Sequence, residues 1–140
     1  MRDLAKRVQD VRADYDHVVI DTGRAPGTDD PILRQALMVS DQLVIPVSPS
    51  LMDTRELRKV LALVEELEPL HHVEARVLLT KTRVGTSSAR DVREGLAEQG
   101  IPLFTCQIGL RESYASAWGT TPTDLGEYRY VMDELTGARV

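Results

Sequence analysis

Asp21 has the neighbours most suggestive of chemistry. It ends the apolar run His17-Val18-Val19-Ile20 and opens Asp21-Thr22-Gly23, with Pro26 and Gly27 close behind. Asp-Thr-Gly can be the carboxylate loop of an aspartic protease. A carboxylate held at the end of a buried strand can instead position magnesium, a hard cation that takes oxygen ligands and keeps some of its water, beside nucleotide phosphates. The third reading is a carboxylate that caps the next turn. The elements around Asp21 separate these readings.

His17 to Asp21 lacks alternation and is rich in β-branched residues, the pattern of a strand buried on both faces in a parallel sheet. Before it, Leu4, Val8 and Val11 recur at helical spacing, so residues 3–13 read as a short amphipathic helix. After it, Asp30-Pro31 supplies an N-cap and a first-turn proline for a helix reaching about Val39. A second apolar strand spans Leu43 to Val47. Asp53 then opens a capping-box pattern for a helix striped by Leu57, Val60, Leu61, Val64 and Leu67, which Pro69 stops. A third strand, Glu74 to Thr80, leads into a polar loop with Gly85. Ser88 and Asp91 cap a helix that ends at Gly100, and Ile101 to Ile108 reads as a fourth strand. A polar loop follows, with Trp118 expected to pack beneath it. The last helix carries Leu125, Tyr128, Val131, Met132 and Leu135.

Strands that alternate with helices across short loops indicate an α/β fold, a mostly parallel sheet with helices on both faces. Well-capped helices contradict the protease, which is nearly all β. In an open α/β sheet, ligands bind beyond the carboxyl ends of the strands, where this reading puts Asp21.

The totals agree with one domain of residues 1–140. The formal net charge of −5, from 17 Lys+Arg against 22 Asp+Glu, argues against a strongly basic nucleic-acid binder. The single cysteine, Cys106, has no intramolecular partner. It reads as a core residue, and His71-His72 as a solvated pair rather than a metal site. The N-terminus lacks the apolar core of a signal peptide, and no run approaches the ~20 apolar residues of a spanning helix. A cytoplasmic protein with no membrane partner is the expectation.

The stretch YDHVVIDTGRAPGTDDPILRQALMVSDQLVIPVSPS resembles the Walker B and switch II region of ParA/MinD-family ATPases. VEARVLLTKTR resembles the family's next strand and adenine-side loop, and IPLFTCQIGLRESYASAWGTTP resembles the segment after it. The ordered blocks cover nearly the whole chain from about Leu4 and are similar to short, ParF-like partition proteins. The resemblance implies a P-loop NTPase fold, ATP and Mg2+ as cofactors, dimerisation with a second copy, nonspecific DNA binding, a ParB-like stimulating partner, and a role in plasmid or other cargo segregation. By position, Asp21 would be the Walker B aspartate, catalytic and holding magnesium through water. Thr22, Gly23 and the residues to Gly27 would be switch II. Thr80 and Lys81, with the backbone of Ile108, Gly109 and Leu110, would lie on the adenine side. Arg83 and Arg111 would contact the partner subunit or DNA.

One family element is missing from these 140 residues: no Gly-x-x-x-x-Gly-Lys-Ser/Thr pattern, nor its deviant lysine-bearing form, occurs. Gly95 and Gly100 have the glycine separation, but Ile101-Pro102 follow. In the family, the phosphate-cradling loop precedes the region where this chain starts. The expectation is therefore an N-terminally incomplete ParA-like domain that neither binds ATP tightly nor hydrolyses it alone, and that exposes an unpaired strand edge. The competing expectation is a non-catalytic interaction protein that has lost nucleotide chemistry.

Overall fold

The computed structural model describes residues 3–23, 30–51 and 54–137. The described helices are α1 (Leu4–Val11), α2 (Pro31–Val39), α3 (Thr54–Leu67), α4 (Ser88–Glu98), α5 (Glu112–Ser116) and α6 (Tyr128–Thr136), and the strands are β1 (Gln42–Val47) and β2 (Glu74–Leu79). The capping pattern at Asp53 and most of the switch II stretch, Arg24 to Gly27, lie outside the described residues. Among the described residues, no helix is long and apolar enough to cross a membrane.

β1 and β2 are adjacent and parallel, joined through α3. Their register is read at both ends: the Glu74 N–H donates to the Asp41 carbonyl at 3.0 Å, and the Thr80 N–H to the Val47 carbonyl at 2.9 Å. By its contacts the chain divides into two compact units, Met1–Leu43 with Asp53–Ala75, and Val44–Met52 with Arg76–Val140.

The first unit is held by helix faces. Asp30 accepts a hydrogen bond from the Ile32 N–H at 2.9 Å, the N-cap that its sequence predicts, and Pro31 takes the first helical position, where a missing N–H costs nothing. Leu33 and Leu37 of α2 then pack with Leu63 and Leu67 of α3 and with Val73. Leu63 is 1% exposed although it lies outside the expected α3 stripe. The buried face follows Leu63 to Leu67, while Val60, Leu61 and Val64 are half-buried. Arg34 reaches from α2 to Glu66 of α3 at 3.0 Å on the exposed rim. His71 is half-buried rather than solvated, its Nε2 2.7 Å from the Ser40 carbonyl, whereas His72 is exposed beside Glu68.

The strand expected before Asp21 is not formed. Residues 17–20 have no regular structure, and Val19 is 89% exposed. A run that is apolar on both faces becomes a strand only when flanking strands take its backbone groups and packed layers cover its side chains. Among the described residues, no segment pairs with it.

The second unit centres on Leu78, Phe104, Ile108 and Val131, with Cys106, Tyr114 and Leu135 packed against them. The expected fourth strand is present only as isolated parallel bridges to β2 and its continuation, Val77 with Leu103 and Thr82 with Gly109. Leu103 to Gly109 is one residue longer than Val77 to Thr82, so a regular ladder cannot run between the bridges. The excess is taken up at Thr105 and Cys106, whose N–H groups leave the ladder and donate to the Glu134 carboxylate at 2.9 and 2.7 Å. α4 starts from Ser87, not Ser88, with no side-chain cap bond, and is followed by Gly100 at φ +72°, a left-handed turn that glycine adopts without a Cβ clash. Trp118 does not pack beneath the loop but is 90% exposed.

Candidate functional site

The carboxyl end of β2 gathers the second group of sequence-predicted residues. Thr80 follows the last strand residue and continues the pairing with β1 through the Val47 carbonyl. Lys81 is next, exposed, at φ +53°. A left-handed non-glycine residue is uncommon, and such strain is found at turns and functional sites that the surroundings hold in place. Here the surroundings are two hydrogen-bonded flanks, with Thr80 tied to β1 and Thr82 to the 108–110 segment.

Thr82 is the buried polar residue of this region, 7% exposed. Its N–H donates to the Ile108 carbonyl at 3.1 Å, and its carbonyl accepts from the Leu110 N–H at 2.8 Å. Its Oγ1 also donates to the Ile108 carbonyl, at 3.2 Å. Ile108 in turn donates its N–H to the Leu79 carbonyl at 2.8 Å, and its side chain is 2% exposed in the core. Thr80, Lys81, Ile108, Gly109 and Leu110 therefore lie on adjoining backbone segments whose path is set by main-chain hydrogen bonds. In open α/β sheets ligands bind beyond the carboxyl ends of the strands, and these segments lie at the carboxyl end of β2.

Gly109 and Arg111 are tied to the start of α6. A Cβ on Gly109 would come 3.2 Å from Glu127 Oε1, tighter than ordinary contact, so a side chain here would require the carboxylate to shift by a few tenths of an ångström. Arg111 donates to the same Oε1 at 2.9 Å, and its guanidinium lies 5.9 Å from the Tyr114 ring centroid. The Tyr114 hydroxyl donates to Glu127 Oε2 and accepts from the Glu127 N–H at 3.0 Å. The Tyr114 hydrogen bond, helped by the Arg111 charge, holds Glu127 below the usual carboxylate range against the opposing effect of burial. Burial, and then the bond to Glu127, raise the Tyr114 phenol. Arg111 is thus engaged within its own unit, while Arg83 is exposed on the loop after Thr82.

Further along the same segment, Arg93 of α4 donates to the Phe104 carbonyl at 2.8 Å and to Gln107 at 3.3 Å. Arg76 stacks 4.2 Å over the Phe104 ring and lies 3.7 Å from Glu134. Burial would raise Glu134, but the Thr105 and Cys106 bonds and the Arg76 charge outweigh it and lower its pKa. Cys106 is pushed up to about 11 by burial and then by the Glu134 carboxylate, so its thiol stays protonated and unreactive at neutral pH.

Asp21, Thr22 and Gly23 belong to the first unit. Asp21 and Gly23 are exposed and Thr22 is half-buried. Asp21 does not cap a strand end, because the strand itself is not formed. Among the described residues, no group of three or more His, Cys, Asp or Glu could hold a metal ion.

Sequence reasoning missed Glu127, Tyr114 and Glu134. The available signal was spacing: Glu127 and Glu134 are seven residues apart on either side of buried Val131, so two acids share the side of the last helix that faces the core.

Two solved chains are similar over 99% of this one, both cobyrinic acid a,c-diamide synthase from Mycobacterium smegmatis. One, with a bound ATP analog and magnesium, superposes with a TM-score of 0.74 at 17% identity. The other, with ADP and magnesium, has a TM-score of 0.72 at 16% identity. The chain spans about half of each, 56% and 55% respectively. At these identities the likeness establishes the fold, an α/β domain of the P-loop NTPase type. Among curated proteins, no sequence matches the chain. The family model described as ATPase MipZ matches residues 1–90, which include Asp21 and the Thr80 to Arg83 loop. With well over half of its residues matched, the chain belongs to the MipZ family of ParA/MinD-type ATPases.

Proposed function

We propose that this chain carries the magnesium-side and base-side residues of a ParA/MinD-type ATPase that acts in the segregation of plasmids or other cargo. The observation that carries the reading is the bonded pair of segments at the end of β2, with Lys81 held left-handed between Thr80 and Thr82. In this reading Thr80, Lys81 and the Ile108-Gly109-Leu110 backbone line the adenine side. Asp21 is the carboxylate for magnesium, with Thr22 and Gly23 beginning switch II. The donors fit that ion: a carboxylate and a hydroxyl are hard oxygen ligands, and magnesium needs few protein ligands because it retains water. When bound beside a nucleotide, magnesium neutralises phosphate charge. Asp21 would orient it through water. Arg83, exposed and cationic, is the side chain offered to a second copy or to DNA phosphates. Arg111 would need to leave Glu127 first.

The bound nucleotides and magnesium of the solved synthase chains support this choice of ligand. The phosphates themselves need a glycine-lysine loop that these 140 residues do not contain, and without it an acidic side chain repels the nucleotide. The test is calorimetry with Mg-ATP, on this chain and on a form extended upstream by its reading frame. Binding by the extended form, weakened by Asp21→Ala, is the expected result. Binding by neither form overturns the nucleotide reading and favours a non-catalytic interaction module.

A further inference from the structure

We infer that Glu127, at the start of α6, is the positioning residue that fixes the path of Gly109, Leu110 and Arg111; its functional consequence rests on the reading of that segment as the base-side wall of the nucleotide site. The bridge to Thr82 grips the segment on one side only, through the Ile108 carbonyl and the Leu110 N–H. Beyond Leu110, which is 54% exposed, no further bridge holds the segment among the described residues. Glu127 supplies the opposite grip. Its two carboxylate oxygens accept from different residues, Oε1 from Arg111 and Oε2 from Tyr114, so one planar group ties the end of the segment to the first turn of α5.

Three further observations make this grip directional. Gly109 sits so close to the carboxylate that a Cβ there would lie 3.2 Å from Oε1 and press on its present position. Tyr114 both donates to and accepts from Glu127, so the phenol registers the backbone of residue 127 as well as its side chain. The Tyr114 ring is itself set edge-on against Tyr128 of α6, with centroids 5.2 Å apart and planes at 76°, which fixes the position of its hydroxyl. The ionised carboxylate accepts charge-assisted bonds, the stronger class, and its exposure of 22% keeps it less hydrated than a surface acid. The charged and titratable groups facing it are Arg111 and Tyr114.

The experiment is amide hydrogen exchange by NMR on the full 140-residue chain. The Leu110 amide is compared with the Val77 amide, which donates to Pro102 at the other bridge. In Glu127→Ala, Leu110 exchange is expected to rise about tenfold relative to Val77, the factor set by one net hydrogen bond. Tyr114→Phe, which keeps the ring packed and loses one partner, should give a smaller rise. Glu127→Gln, which keeps one acceptor oxygen but loses the charge and the second acceptor, should restore only part of the protection. As pH falls through the lowered Glu127 value, the Leu110-to-Val77 ratio should rise in the wild type and stay flat in Glu127→Gln. A ratio unchanged in Glu127→Ala, or a rise shared equally by Val77, overturns the inference. Mg-ADP added to the form extended upstream by its reading frame, with and without Glu127→Ala, tests the underlying reading separately. Wild-type shifts at Gly109 and Leu110 that weaken in Glu127→Ala support both ideas. Absence of wild-type shifts in the extended form counts against the nucleotide reading, while the exchange ratio in the 140-residue chain still decides the role of Glu127.

Discussion

Val19, in the apolar run before Asp21, is 89% exposed, whereas Phe104, in the apolar run before Gly109, is 1% exposed. Both runs are apolar and both read as strands, the first of them as buried on both faces, so the reading does not put the exposed run where it is found. The difference lies in their neighbours. Phe104 donates its N–H to Val77, and its carbonyl accepts from Arg93. Its ring lies under Arg76, and Glu134 takes the amides of the next two residues. Val19 has no ladder partner among the described residues. Burial is thus a property of the surroundings that a run finds, and the better-bonded run is the one that leads into the candidate base-side segment.

The largest expected effect tests the well-held side. Phe104→Ala should destabilise the second unit by about 3–5 kcal/mol, the usual cost of emptying a buried aromatic site. It also removes the face on which Arg76 stacks. Urea unfolding followed by far-UV circular dichroism gives the value. A loss under about 1 kcal/mol would mean that the 103–109 segment is not anchored by its core side chain.

Next in size is Glu134→Ala. Thr105 and Cys106 would keep N–H groups that left the ladder, and Arg76 would lose its carboxylate, so a loss of about 1–3 kcal/mol is expected. The pH dependence has a definite sign. The folded pKa of Glu134 lies below its ordinary value of 4.5, so its contribution is complete above that value and is lost as pH falls through the lowered one. Wild type should therefore lose stability in that acid window, and Glu134→Ala should lose less there. Parallel pH profiles for the two proteins would show that the carboxylate is not what holds the extra residue.

These two sites also show what was legible in the sequence. Period and capping residues located the longer helices, because such a helix declares itself in local spacing and in residues such as Asp30 and Pro31, whereas the five-residue α5 lay within what read as a polar loop. β1 and β2 were legible as apolar runs that pair in parallel across a helical crossover. The one-residue excess between Leu103 and Gly109 was not, because register is a relation between two segments far apart in sequence. The carboxylates at 127 and 134 were hidden for the same reason: their partners lie on other elements. For the candidate site, the residues at Thr80 to Arg83 and Ile108 to Arg111 were legible through family resemblance, but the grip of Glu127 on Arg111 was not.

A smaller effect calibrates the first unit. Asp30→Ala removes the side-chain acceptor for the Ile32 N–H and should cost about 1 kcal/mol, with Asp30→Ser recovering most of it. Differential scanning calorimetry of the three proteins reads the difference as ordered shifts in Tm. Because the cap is local, the loss should leave amide exchange in the 103–111 segment unchanged, a check that the effect stays with α2.

The smallest expected effect is the sharpest test of the comparison. Val19→Ser replaces a side chain that is 89% exposed, so the folded state gives up almost no buried apolar surface and stability should change by less than about 0.5 kcal/mol. The contrast with Phe104→Ala then becomes a direct measure of how differently the two runs are held. A loss of 2 kcal/mol or more, on the order of a buried valine, would mean that the run before Asp21 is covered in solution. Repeating the measurement across a range of protein concentrations separates the sources of cover: a loss that grows with concentration assigns it to a second copy, and one independent of concentration assigns it to the chain itself. Either result would bear on Asp21, because a carboxylate that follows a covered, paired run is fixed in position, and one that follows an open run is not.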